Sequence, residues 1–151
     1  MPLRLPQEKL KEFLVETGLV SEEHFKQAFE ESKRTNHELA EILISRGFVS
    51  EEYLLQLGAD YFKAPLVKLR GRLINKSLLT LLPEEIARLR RIAIFDKDEA
   101  GNIYLAMEDP SDLETINFVQ KYVNAPVKVF LTTSRDLNYV FSLYGKEVVT
   151  D

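Results

Sequence analysis

Apolar residues recur at helical spacing near the start of the chain, and they do so twice. Leu10, Phe13, Leu14 and Thr17 mark one face of a helix, and Leu39, Ile42 and Leu43 mark an equivalent face further on. Each set leads into the same stretch. Leu14-Val-Glu-Thr-Gly-Leu-Val-Ser-Glu-Glu-His-Phe25 returns as Leu43-Ile-Ser-Arg-Gly-Phe-Val-Ser-Glu-Glu-Tyr-Leu54, with Leu, Gly, Val, Ser, Glu and Glu at identical offsets. Such self-similarity predicts two copies of one supersecondary unit. Within each copy, Gly18 or Gly47 supplies the left-handed residue that ends a helix, and an apolar pair follows. Ser21 or Ser50 then caps the next helix, with two glutamates complementing the positive end of its dipole. Pro6 suits the first turn of the first helix. The second carries Phe25, Ala28, Phe29 and Ser32 on one face, and the fourth carries Leu54, Leu57, Gly58 and Tyr61.

Periodicity changes after Lys63-Ala64-Pro65. Leu66 to Leu69 reads as a short extended segment, Asn75 to Leu82 as a short helix, and Pro83-Glu84-Glu85 as the start of another that ends near Arg90. Arg91 to Phe95 and Asn102 to Met107 are strand-like, and the polar link ending in Gly101 joins them as a hairpin. Asp109-Pro110 breaks the chain. A helix capped by Ser111 or Asp112 then carries Leu113, Ile116, Val119 and Val123. Val127 to Leu131 makes a third strand, and Ser134 or Thr133 caps a last helix through Leu137, Val140, Phe141 and Tyr144. The fold class expected is α+β: a four-helix repeat subdomain over residues 1–62, then over 63–151 a small mixed sheet of about three strands with helices packed on one face.

Composition narrows the function classes. With 151 residues, 45% hydrophobic and 29% charged, this is a globular chain. A net charge of -4 argues against broad nucleic-acid binding. There is no cysteine, which removes disulfides, thiol catalysis and thiolate metal sites, and His24 and His37 alone cannot make a metal centre. No apolar run approaches the roughly 20 residues that span a bilayer, and the N-terminus lacks the apolar core of a signal peptide, so a cytoplasmic location is expected.

Candidate chemistry is sparse. None of the glycines forms the Gly-x-x-x-x-Gly-Lys-Ser/Thr spacing of a phosphate loop, so an ATPase site of that type is missing from this sequence. The Ser-Glu-Glu pairs at 21–23 and 50–52 read as helix N-termini rather than as acid/base carboxylates. Asp109-Pro-Ser-Asp112 reads as turn and cap chemistry rather than as a metal loop. The densest basic region, Lys68, Arg70, Arg72, Arg88, Arg90 and Arg91, reads as a solvated surface with balancing charges before a contact for acidic protein or nucleotide. His24 is expected as a surface or boundary residue rather than a ligand, and Phe25, Phe29, Tyr53 and Phe62 as core or helix contacts rather than base-stacking groups. No catalytic residue, metal or cofactor is assigned.

Residues 9–61 resemble the N-terminal domain of type II secretion and type IV pilus assembly ATPases, in the module that binds cyclic di-GMP in some members. That module has a doubled pattern opening on Arg-Leu-Gly, passing through aliphatic pairs around a Gly, and closing on Gln. Lys9-Leu10-Lys11 to Ser32 overlays one copy, and Glu38-Leu39-Ala40 to Tyr61 the other. The later half is similar too, in Leu81-Leu82-Pro83, Ala106-Met107-Glu108-Asp109-Pro110 and Tyr144-Gly145. The departures fall on the polar positions. Lys9 and Glu38 stand where the pattern has Arg, Lys11 and Ala40 where it has Gly, and Ser32 and Tyr61 where it has Gln. Lys9 offers a charge without the bidentate fork of Arg, and Glu38 would repel a phosphate.

The resemblance implies a non-catalytic docking and regulatory module that links a motor ATPase to the cytoplasmic domain of an inner-membrane platform protein, held at the inner face of that membrane through its partner and not itself membrane-spanning. The alternative it implies is a cyclic di-GMP sensor with a divergent pocket lined by Lys9, Leu10, Leu14, Ser32, Leu39, Leu43 and Tyr61.

Overall fold

A computed structural model describes residues 5–145. The chain divides into two compact units, Met1–Tyr61 and Phe62–Asp151.

The first unit contains α1 (Gln7–Leu14), α2 (Glu22–Thr35), α3 (Leu39–Ser45) and α4 (Glu51–Phe62), the last reaching one residue past the division. The repeat in the sequence is a repeat in the backbone. Gly18 and Gly47 sit at φ +81° and +75°, in the left-handed region that spares glycine a steric cost. Val20 N–H donates to the Leu14 carbonyl at 2.9 Å, and Val49 N–H to the Leu43 carbonyl at 3.3 Å, closing the same turn in both copies. Ser21 Oγ accepts from His24 N–H at 3.0 Å, and Ser50 Oγ from Tyr53 N–H at 3.1 Å. Helix α1 stops at Leu14, a turn short of the Thr17 expected, and Thr17 instead donates its hydroxyl to the Phe13 carbonyl at 2.6 Å. Leu10, Leu14, Val20, Phe25, Ala28, Ile42, Leu43 and Leu54 form a single core, with Leu39 and Leu57 packed against it.

The second unit contains α5 (Lys76–Leu79), α6 (Glu84–Arg90), β1 (Ile92–Lys97), β2 (Ile103–Met107), α7 (Leu113–Val123), β3 (Val127–Leu131) and α8 (Ser134–Phe141). Helix α5 is shorter than the Asn75–Leu82 expected. Asn75 caps it through Ser77 N–H at 2.8 Å, and the chain turns at Thr80 before Pro83. Of the paired cap candidates, Asp112 and Thr133 are the residues used. The sheet is mixed, in the order β1-β2-β3, antiparallel between β1 and β2 and parallel between β2 and β3. A parallel pair requires a crossover, which α7 provides.

Helices cover both faces of this sheet, where one covered face was expected. Ala93, Phe95 and Ala106 share a core with Leu137, Val140 and Phe141 of α8. Ile92, Ile94, Ile103, Leu105 and Met107 share another with Val119 of α7. Successive strand residues point to opposite faces, so the unbroken apolar run Ile92-Ala-Ile-Phe95 is the mark of a strand buried on both sides.

Candidate functional site

The seven residues expected to line a ligand pocket all belong to the doubled unit, and burial divides them. Leu14 and Leu43 have no exposed surface and Leu10 retains 3%, so with the partly buried Leu39 they form the interior of the four-helix core. Polar and aromatic members sit outside it, each with its own neighbour. Lys9 Nζ lies 3.3 Å from Glu12 Oε2, one helical turn on. Ser32 donates its hydroxyl to the Phe29 carbonyl at 2.7 Å. Tyr61, at the end of α4, meets Phe13 of α1 edge to face, with ring centroids 6.4 Å apart. The structure thus gathers the leucines, while local partners engage Lys9 and Ser32.

A different concavity of about 300 Å³ opens beside α2, lined by Gln27, Glu31, Arg34, Arg46 and Phe48 among others. Arg46 follows α3 and donates from Nε and Nη2 to Glu31 Oε1, at 2.9 and 2.7 Å. The His24 ring lies flat on Phe48, with centroids 4.3 Å apart and planes within 5°. His24 is at the surface as expected, but its partner was not legible, because the stack joins the cap of one copy to the turn of the other. The one signal was the divergence between copies: Arg46 and Phe48 occupy the offsets held by Thr17 and Leu19.

The arginines of the basic region are engaged with acids. Arg70 pairs with Asp136 at 2.9 Å, Arg72 with Asp96 at 3.1 Å, Arg88 with Glu84 at 2.7 Å and Arg91 with Glu108 at 2.6 Å. Arg90 donates to the Thr115 hydroxyl at 2.9 Å. Arg91 takes a left-handed conformation, φ +55°, at the end of α6, which directs its guanidinium to the buried Glu108. Asp109 accepts from Ser111 N–H, and Asp112 from Thr115 N–H, so both serve turn and cap. Among the described residues no group of three or more His, Asp or Glu is placed to hold a metal ion. Asp98 sits in the hairpin. Hydrogen bonds from the Asn102 side chain and backbone, aided by Lys128, hold its carboxyl down at about 2.

A doubled helix-turn-helix unit followed by a three-stranded mixed sheet defines an α+β module of the kind found at the head of secretion and pilus ATPases. The MshEN domain model matches residues 62–149, more than half of the chain, and the chain belongs to that family. It is 29% identical over 147 residues to the type IV pilus assembly ATPase PilB of Thermus thermophilus, a match that covers 97% of this chain and 16% of PilB. The structure of MshE with cdg is similar at 30% identity and a TM-score of 0.77, covering 93% of this chain and 99% of that one. The N-terminal domain of XpsE shares the fold at 19% identity and a TM-score of 0.62, over 94% of this chain and 97% of its own. None of the described helices is long and apolar enough to cross a membrane.

Proposed function

We propose that the chain is a non-catalytic docking and regulatory module of a bacterial type II secretion or type IV pilus assembly ATPase system. It would link the motor ATPase to the cytoplasmic domain of the inner-membrane platform protein, and so work in the cytoplasm at the inner face of that membrane. Membership of the MshEN family and the similarity to PilB, of which the chain spans 16%, support the system. The observation that carries the docking role is the selective survival of the repeat. Its apolar frame and caps are intact, whereas Lys9 is tied to Glu12 and Tyr61 lies against Phe13, at positions where the related pattern keeps Arg and Gln. A repeat that keeps its interior frame but presents no charged fork at those outer positions suits protein contact better than phosphate recognition. Pull-down of the folded chain with the platform cytoplasmic domain and with the motor ATPase tests this. Retention of either is expected, and failure with both overturns it.

A second reading, a cyclic di-GMP sensor with a divergent pocket, is favoured by the 30% identity to MshE, which was solved with cdg. Lys9, Ser32, Leu39 and Tyr61 would meet the ligand, with Leu10, Leu14 and Leu43 backing them from the core. Titration calorimetry decides: saturable micromolar binding that is lost in Lys9→Ala supports a sensor, and no heat at high ligand concentration removes it.

A further inference from the structure

Leu73 is 97% exposed, the most exposed large apolar side chain among the described residues. A single exposed leucine is ordinary. This one is held in place from both sides. On its N-terminal side, Asp136 binds Leu69 N–H at 2.6 Å and Arg70 Nε at 2.9 Å, and Gly71 turns the chain at φ +81°. On its C-terminal side, Asn75 caps α5 by accepting from the N–H and hydroxyl of Ser77 at 2.8 and 2.6 Å. Leu73 therefore projects from a fixed segment, so a partner that covers it has little chain entropy to overcome.

Beside it lies a groove of about 120 Å³, lined by Leu73 with Leu79, Tyr139 and Leu143, and by Arg72 and Lys76. That volume is on the scale of one side chain. Both charged groups in its wall are cations, with no carboxylate among the lining residues, in a chain whose net charge is -4. An apolar notch with a cationic rim complements an apolar anchor flanked by acids.

We infer that this groove docks an acidic segment of a partner protein, with one aliphatic or aromatic side chain seated against Leu73, Tyr139 and Leu143. The inference rests on the docking reading above and adds to the four-helix surface a second one, in the second unit. Arg72 already shares Asp96 with solvent at 3.1 Å, a weak exposed pair that an incoming carboxylate can join.

The test is selection of a phage-displayed peptide library on the full chain, followed by fluorescence polarisation of the enriched peptides. The expected consensus is a Leu or Phe flanked by Asp or Glu. Binding should weaken about tenfold in Leu73→Asp, as for loss of an interface anchor. It should also weaken severalfold in Lys76→Gln, and again when salt is raised from about 0.05 to about 0.5 M. Leu73 is solvent-facing, so its variant keeps the fold, and circular dichroism checks this. Basic or charge-free consensus peptides, or acidic ones that bind Leu73→Asp unchanged, overturn the inference. So does self-association of the chain, or capture by phosphatidylglycerol vesicles, that is lost in Leu73→Asp. Pull-down with the platform domain and the motor ATPase separates the two readings. Equal retention of wild type and Leu73→Asp overturns this surface alone, whereas retention of neither overturns the docking function and leaves the peptide result to judge the groove.

Discussion

Asp136, the third residue of α8, accepts a 2.6 Å hydrogen bond from the backbone N–H of Leu69, far back in the chain. Its second oxygen takes Arg70 Nε at 2.9 Å, and little of its side chain meets solvent. One carboxylate thereby fixes the segment that leads from the unit boundary to α5. Removing it strands a buried N–H. Asp136→Ala is expected to cost about 2–3 kcal/mol. Arg70→Ala should cost less than about 1 kcal/mol, because that guanidinium is half exposed. Urea denaturation measures both. Loss of hydrogen-exchange protection at the Leu69 amide in Asp136→Ala would locate the damage.

The core of the four helices should respond in parallel in its two copies. Leu14 and Leu43 occupy matching offsets and both are fully buried, so Leu14→Ala and Leu43→Ala are each expected to lose about 2–5 kcal/mol. Leu19, in the first turn, is 53% exposed, and Leu19→Ala should stay within about 0.5 kcal/mol. Thermal melts of the three variants check the contrast.

Gly47 tests the turn without packing. A Cβ there would meet nothing within 4 Å, yet φ is +75°. Gly47→Ala should therefore cost only the left-handed backbone term, about 1–2 kcal/mol. Gly18→Ala, at φ +81° and equally open, should match it. A cost several times larger at either site would mean that the turn does more than reverse the chain.

Tyr144 supplies a pH dependence. Its hydroxyl donates to the Leu79 carbonyl at 3.1 Å. Burial, with the charge of Glu84 adding to it, pushes the phenol up to about 12 from its ordinary 10.0. The folded state then holds this proton where the unfolded state has released it. The contribution is fully present below pH about 10 and is lost as pH rises through about 12. Ultraviolet titration should show a late ionisation that is missing in Tyr144→Phe. A wild-type curve identical to the variant's would refute the assignment.

The repeat was legible because each copy carries its own punctuation. Gly18 and Gly47 stop helices, Ser21 and Ser50 start them, and these act over a few residues. The hairpin, and the helix between the second and third strands, were legible for the same reason. What escaped were relationships between distant positions. Nothing local announces that Asp136 will clasp Leu69, that Arg91 will reach Glu108, or that His24 will stack on Phe48. Coverage of both sheet faces does leave a local trace, the unbroken apolar run Ile92-Ala-Ile-Phe95. The irregular register between Ile94 and Asp96 left no comparable trace. For the candidate pocket, the pattern located the leucines, but sequence could not say that three of them are closed inside the core.

The ladder that ends the sheet ties the earliest part of the second unit to its latest strand. Val67 N–H reaches the Leu131 carbonyl, and Leu131 N–H the Pro65 carbonyl, both at 2.9 Å. On a ribosome these halves emerge far apart in time. The four helices end at Phe62 and can close once they leave the exit tunnel, whereas the sheet must wait until Leu131 has cleared it. During synthesis, therefore, the repeat is finished ahead of the module that follows it.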